Sequence, residues 1–281
     1  MRIFSIRSMT ESTEVLGLIA GNRSLPLTFA RQARSMGVKK IIAVAAEGET
    51  DPALASLVDE IVWVNVGQLN KMIRAFVDRG VKKVVMAGQI APRNLFHLRP
   101  DLRAMGLLLK IKQKNAHSVF GAVVEEMRKD GLEVVEATPW LAPLMPGPGF
   151  LLGPRLSKDE RSDLEIGFRI AKEITRLEIG QTVVVKNGAV LAVEAFEGTD
   201  LCLQRGGEQA GKDGGAVAVK VAREKHDMRF DIPCIGKQTL ETCARYGIRA
   251  LAVEAGTTLL LERPEVEKIL AASKVSLVAW P

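Results

Sequence analysis

The sequence predicts an α/β protein of two domains, the first on a doubly wound parallel sheet and the second on a separate, mixed α/β fold. Three observations carry this. From residue 15 to residue 135, short apolar runs alternate with stretches of helical periodicity, the pattern of parallel strands joined by crossover helices. Residues 138–154 then hold five prolines and three glycines in seventeen positions, which neither a helix nor an interior strand accommodates. Beyond them a helix-start signal and a hairpin signal open a new unit.

In the first unit, Val15–Ala20 is an apolar run closed by Gly21-Asn22, suited to a buried parallel strand. Ser24 is placed to cap the helix that runs to Met36, with Pro26 in its first turn. Lys40–Ala45, Glu60–Asn65 and Lys83–Ala87 read as the next strands, with a weak helix over 52–58 and a periodic one over 69–78. Helical patterns over 101–112 and 117–130 and a short strand at 132–135 complete it.

The Pro/Gly stretch is read as an apolar linker that packs against its surroundings, or as one wall of an acyl-chain cleft. The domains are therefore placed at 1–138 and 156–281, with the linker at 139–155. In the second, Ser157-Lys-Asp-Glu160 is a capping box that opens a helix to about Leu177. Asn187-Gly188 between 182–185 and 189–193 is a hairpin signal. A helix follows Thr199, then a strand at 216–220, a helix over 236–246, a strand at 249–253, a helix over 264–272 and a strand at 275–279.

The chain has 281 residues, 47% hydrophobic and 26% charged, as in a globular protein. A net charge of +6 favours anionic partners: nucleotide, phosphorylated lipid or an acidic membrane surface. One tyrosine and no interleaving of basic and aromatic residues argue against nucleic acid. Cys202, Cys234 and Cys243 lack metal-site spacing and suit a reducing compartment. No apolar run is long enough to cross a bilayer, and residues 1–14 carry no secretory pattern, so a cytoplasmic location is expected. Arg99, Arg103, Lys110, Lys112 and Lys114 form a basic stretch, either a solvated helix face or a site for anionic lipid or phosphate.

The chemistry-bearing residues gather where apolar runs end. Gly21 and Asn22 follow the first strand and Gly88 and Gln89 the fourth, on the rim where such sheets bind ligands. The dinucleotide fingerprint lacks its second and third glycines, which disfavours a nicotinamide enzyme. Anion contact at this helix start and a simple tight turn both remain open. Glu194, Glu197 and Asp200 cluster at another strand end, with Gly198 allowing a sharp turn and Thr199 and Asp200 equally suited to capping. Asp227 and Asp231 flank Arg229 in a segment stopped by Pro233. A carboxylate pair there fits a metal site, while Arg229 and Lys220 suit phosphate oxygens. His226 adjoins Asp227 as a ligand, a proton carrier or an ordinary ion-pair partner. No nucleophile elbow, Walker loop or zinc motif is present.

Four stretches, Leu16–Gly21 with Leu25-Pro26, Ile179–Val185, Ala192–Asp200 and Asp227–Pro233, resemble the LpxI-type family of UDP-2,3-diacylglucosamine pyrophosphatases. The resemblance reaches across nearly the full length and implies an N-terminal Rossmann-like domain with a distinct C-terminal one. It implies Mg²⁺-dependent hydrolysis (Mn²⁺ as an alternative) to UMP and 2,3-diacylglucosamine 1-phosphate, in lipid A synthesis. The enzyme would work in the cytoplasm, peripheral to an anionic inner-membrane face, with a homo-oligomer possible. Asp227, Asp231, Asp200 and Glu197 would be catalytic, with Asp227 and Asp231 on the metal. Gly21, Asn22, Gly88, Gln89, Gln181, Glu194, Gly198, Thr199, Lys220 and Arg229 would touch substrate. The competing reading is a non-catalytic protein that binds a nucleotide sugar or a lipid phosphate.

Overall fold

A computed structural model of the chain describes residues 15–89, 100–111, 116–222, 227–229 and 232–281. By contacts the chain divides after Leu141 into two compact units, with Met228 and Arg229 grouping with the first.

In the first unit β1 (Val15–Ala20), β2 (Lys40–Ala46), β3 (Glu60–Val64), β4 (Lys83–Ala87) and β5 (Glu133–Val134) form a parallel five-stranded sheet in the order β3-β2-β1-β4-β5. Helices α1 (Leu25–Ser35), α2 (Leu69–Val77), α3 (Leu102–Lys110) and α4 (Ala116–Lys129) connect the strands. Such a sheet is covered on both faces, so its central strands read as continuous apolar runs. Ile42, Val44, Val84, Ile73, Phe76 and Met127 pack together, fully buried or nearly so; burying a side chain of this size contributes about 1.5–3 kcal/mol. The strand order reverses between β1 and β4. The cap expected at Ser24 does not form: its backbone is already helical, at φ −82° and ψ −13°, and its side chain makes no capping bond. An N-cap hydroxyl reaches the first-turn amides from an extended backbone.

The Pro/Gly-rich stretch holds only short pieces: α5 (Thr138–Leu141), a 3₁₀ turn at Ala142–Leu144 and β6 (Leu151–Leu152). It is packed, as its apolar content suggests. Trp140 meets Phe29 of α1 edge to face at 5.7 Å. Pro146 O accepts from Gly256 N at 2.9 Å and Phe150 O from Ala279 N at 3.0 Å.

The second unit is built on a mixed six-stranded sheet. Its strands are β6, β7 (Thr182–Lys186), β8 (Ala189–Val193), β9 (Ala216–Lys220), β11 (Ile248–Glu254) and β13 (Ser276–Trp280), in the order β6-β13-β11-β9-β7-β8. β9, β11 and β13 run parallel, while β6, β7 and β8 pair antiparallel. β10 (Cys234–Ile235) and β12 (Leu259–Leu260) form a small parallel pair apart from it. Because side chains alternate along a strand, Val183 and Val185 meet α6 (Lys158–Arg176) on one face. Val184 turns to the opposite face, against α7 (Thr199–Gln209) and α8 (Lys237–Arg245), and α9 (Arg263–Ala272) completes that layer.

Two local signals act as expected. Ser157 and Glu160 form a full capping box. Asn187 and Gly188 have φ of 50° and 77°, the two left-handed residues a tight hairpin turn requires. Their amides donate to the buried carboxylate of Asp163 on α6, at 2.8 and 2.7 Å, which fixes the hairpin against its helix. Among the described residues no helix is long and apolar enough to cross a membrane.

Candidate active site at the carboxyl ends of the second sheet

The parallel direction of β9 and β11 brings their carboxyl ends to one edge. Antiparallel pairing then puts the start of β7 and the end of β8 at the same edge, since Thr182 is opposite Lys220 and Val183 opposite Val193. The polar residues that close these apolar runs therefore converge: Gln181, Thr182, Glu194, Lys220 and Glu254. Ligands of α/β sheets collect at such an edge.

Glu194 is 5% exposed, and a carboxylate so desolvated needs partners. Its amide donates to Thr182 O at 2.8 Å, and its Oε2 accepts from Thr199 Oγ1 at 3.1 Å. Thr182 Oγ1 in turn bonds Thr199 Oγ1 at 3.3 Å. Gly180 lies flat on this strand end; a Cβ there would stand 2.1 Å from Glu194 O. Gln181 contributes its backbone, its carbonyl accepting from Val221 N at 3.0 Å. Lys220 is 6% exposed, and its Nζ donates to Cys234 O at 3.0 Å. Among the described residues no carboxylate stands within ion-pair reach of it.

Glu197, Gly198, Thr199 and Asp200 form the turn into α7. Gly198 starts the helix from φ 85°, so Thr199 is its first residue and spends its hydroxyl on Glu194 instead of on a cap. The Glu197 carboxylate accepts from its own amide, from Arg205 and from Ala195 N at 3.1 Å. These donors, its own amide foremost and the guanidinium next, hold its pKa below the usual carboxylate value. Asp200 is received by α8, with Gln238 Nε2 at 2.7 Å and Thr239 Oγ1 at 3.2 Å. Phe196 beside them is fully exposed.

The chain then leaves β9 toward Asp227. Glu254, the last residue of β11, accepts from Ala222 N at 2.9 Å and from Lys172 Nζ at 2.7 Å. It thereby fixes the chain two residues after Lys220 and five before Asp227. Sequence reasoning passed over Glu254; the available signal was an acid closing a buried apolar run at the edge where the other carboxylates fall. Asp227 and Arg229 are half-buried in the short segment that follows. Asp231 and His226 lie outside the described residues, as do Arg99, Lys112 and Lys114. Among the described residues no three His, Cys, Asp or Glu side chains come together as a metal-binding group.

A second cluster sits in the first unit. Asn22 and Gln89 form an isolated antiparallel bridge, with Gly21 N on Ala87 O at 2.8 Å and Asn22 N on Gln89 O at 2.7 Å. A Cβ on Gly21 would fall 2.4 Å from Gln89 O, and one on Gly88 (φ 89°) 2.7 Å from Asn22 O. Only glycine permits so close an approach. Asn22 Nδ2 also donates to Glu49 at 2.8 Å. All four residues expected there come together, with the loops after β1 and β4 in direct backbone contact.

Residues 15–144 match the model of the LpxI N-terminal domain, and residues 147–278 that of the LpxI C-terminal domain. The UDP-2,3-diacylglucosamine pyrophosphatase LpxI of Caulobacter vibrioides is 30% identical over 267 residues, covering 92% of this chain and 93% of that one. The chain belongs to the LpxI family. The two domain matches meet inside the Pro/Gly-rich stretch. The strand-edge residues from Gln181 to Glu254 fall in the C-terminal match, and the Asn22–Gln89 clasp falls in the N-terminal one.

Likeness to solved structures is looser. N5-carboxyaminoimidazole synthetase from Staphylococcus aureus is 13% identical, covers 62% of this chain and 38% of its own, and gives a TM-score of 0.25. The biotin carboxylase domain of a thermophilic 2-oxoglutarate carboxylase is 14% identical, with 60% and 34% covered and a TM-score of 0.26. The chain thus spans well under half of either.

Proposed function

We propose that the chain hydrolyses the pyrophosphate bond of UDP-2,3-diacylglucosamine, giving UMP and 2,3-diacylglucosamine 1-phosphate in lipid A synthesis. One observation carries the reading: the similarity to the Caulobacter pyrophosphatase spans 93% of that protein, both domains included. The chemistry of the C-terminal edge agrees with it. Hydrolysis forms one bond from water oxygen to phosphorus, breaks one phosphoanhydride bond and releases a proton, while negative charge grows on the departing phosphate.

Lys220 suits that charge. A buried ammonium with one carbonyl partner is held in place before the substrate arrives, and its attraction for a phosphate oxygen is little screened by water. Arg229 would add a second cation in the same sequence segment. Glu194 is oriented by Thr199 and Thr182, which suits a fixed acceptor for a sugar or ribose hydroxyl. Asp227 would receive the proton or orient the attacking water.

Mg²⁺, with Mn²⁺ as the alternative, belongs to this proposal, and Asp227 and Asp231 would hold it. Mg²⁺ commonly takes one or two carboxylates and completes its shell with water and substrate phosphates, so Asp227 is an adequate anchor without a third acid. A bound ion would supply Lewis acidity and lower the pKa of a coordinated water. The diacyl substrate would be met at the cytoplasmic face of the inner membrane.

The test is release of UMP from UDP-2,3-diacylglucosamine by the purified chain, with EDTA and after restoring Mg²⁺. Turnover that EDTA abolishes and Mg²⁺ restores is expected. Tight binding of substrate without product would favour the non-catalytic binding protein.

A further inference from the structure

α3 carries an apolar stripe that stands exposed among the described residues. Leu102 and Leu109 are 88% and 85% exposed and Met105 47%. At about 100° per residue the three fall within about 60° of arc, so they form a single line along the helix. The helix itself is firmly held. Ala104 on its inner side joins the core of the first unit, and Arg103 pairs with Glu126 of α4 at 3.0 Å and with Asp130 just beyond it. Asp101 caps it, accepting from Ala104 N at 2.9 Å and from Asn70 N at 2.7 Å. An amphipathic helix in a globular unit normally turns its leucines inward, and a stripe displayed outward on an anchored helix marks a surface that meets something apolar.

The charge around the stripe says what that something is. Between α2 and α3 lies an open cleft of about 740 Å³, lined by Leu102 together with Lys71, Arg74, Arg79 and Arg103; Arg79 is paired with Glu60 at 2.7 Å and Arg103 with Glu126 and Asp130, which leaves Lys71 and Arg74 as its available cations. Lys71 and Arg74 are exposed, and Lys110 is exposed next to Leu109. Of the acids in the cleft, Asp101 is committed to two backbone amides, and Asp78 stands 4.0 Å from Arg74 with both side chains about 60% exposed. Such an exposed pair holds its charges weakly.

We propose that α3, with the adjoining rim of α2, is the surface by which this chain docks on an anionic lipid bilayer. Three long apolar side chains in line, bordered by lysine and arginine, are what an interfacial helix presents when it lies in the membrane plane. The apolar side enters the headgroup boundary and the cations stay with the phosphates. A second copy of the chain is a poorer fit. The stripe offers a few hundred Å² at most, against about 800 Å² that each partner brings to a stable interface. The inference rests on the lipid-substrate reading only for its purpose: an enzyme whose substrate carries two acyl chains must come to the bilayer.

The experiment separates docking from hydrolysis. The full chain, without substrate, is sedimented with vesicles of phosphatidylcholine alone and of phosphatidylcholine with phosphatidylglycerol at about three to one. Wild type should partition onto the anionic vesicles and lose binding as salt is raised. The double variant Leu102→Asp/Leu109→Asp should bind at least ~10-fold more weakly to them. Lys71→Gln/Arg74→Gln should lose on the order of 25-fold, at about five-fold per cation removed, on the anionic vesicles only. Both variants should turn over detergent-dispersed substrate at the wild-type rate, so failure of the hydrolase reading would show in that assay and not in sedimentation. A Leu102→Ser/Leu109→Ser variant serves if the aspartates lower the melting temperature. Absence of wild-type binding to anionic vesicles, or unchanged binding by both leucine variants, would overturn the proposal. So would a wild-type dimer in analytical ultracentrifugation that the leucine variants dissociate, since the stripe would then belong to a second copy.

Discussion

Thr199 Oγ1 donates to Glu194 Oε2 at 3.1 Å, so the first residue of α7 is bonded to the carboxylate that follows β8. A hydroxyl at a helix start commonly serves its own helix amides. Here it serves an acid on the preceding strand end, and the turn between them is drawn tight. Replacing Thr199 with valine should therefore leave a buried carboxylate short of a donor, at a cost of about 1–3 kcal/mol. The denaturant midpoint should fall with an unchanged slope, while Thr199→Ser stays near wild type.

Asp227→Ala should reduce turnover more than ten-fold, since loss of a metal or proton contact in the transition state costs at least that much. A melting temperature taken beside the rate separates a loss of chemistry from a loss of fold. A variant that keeps over a tenth of wild-type kcat would remove Asp227 from the chemistry.

Glu254 is bonded to Lys172 and to the Ala222 amide, so a positioning role is expected of it. Glu254→Ala loses both the Lys172 ion pair and the Ala222 amide acceptor, so the chain leading to Asp227 is released. Glu254→Gln keeps an oxygen for the amide. The alanine variant should lower kcat several-fold with KM little changed, and glutamine should recover most of the loss. Equal behaviour of the two would show that the ion pair alone matters.

The acid limb of stability should contain a contribution from Glu197. Its folded pKa is depressed by its own amide, Arg205 and Ala195 N, so its contribution is fully present above the unfolded value of about 4.5 and is lost as pH falls through the lower folded value. Glu197→Gln should therefore be less stable than wild type near neutral pH, with the gap closing below about pH 4.5. Melting temperatures of the two proteins from pH 7 to pH 3 give the answer. A constant gap would mean that the carboxylate's charge is not what Arg205 stabilises.

Thiol reactivity should divide two to one. Burial pushes the Cys202 thiol up to about 12 and raises Cys243 as well, while Cys234 is only half-buried. The thiolate is the reactive form. An alkylating reagent at neutral pH should label Cys234 alone in the native protein and all three after denaturation, which mass spectrometry would show.

Much of this was legible from local chemistry. The apolar runs at 15–20, 40–46 and 83–87 mark parallel strands because both faces of such a sheet are covered. Asn187-Gly188 declared its hairpin, since few other pairs accept two left-handed residues. The two-residue strands at 151–152, 234–235 and 259–260 have no period to read; neighbours distant in sequence define them. The site divides the same way. Glu194 and Lys220 were visible because a charge ending an apolar run is conspicuous, whereas the partners Thr182, Gln238 and Thr239 are ordinary polar residues until folding sets them beside a carboxylate. The cap assigned to Ser24 failed because the helical backbone there begins one residue early.

The direct pairing of Asn22 with Gln89 bears on how this fold could be re-engineered. Where a doubly wound sheet reverses its strand order, the loops usually part and leave room for a diphosphate to be threaded between them. This protein has stitched that seam with its own backbone. Restoring the missing glycines of a dinucleotide fingerprint after β1 would therefore not create a cofactor site. The intruding carbonyl of Gln89 would first have to be withdrawn, so an oxidoreductase lies at least two coordinated loop changes away from this scaffold.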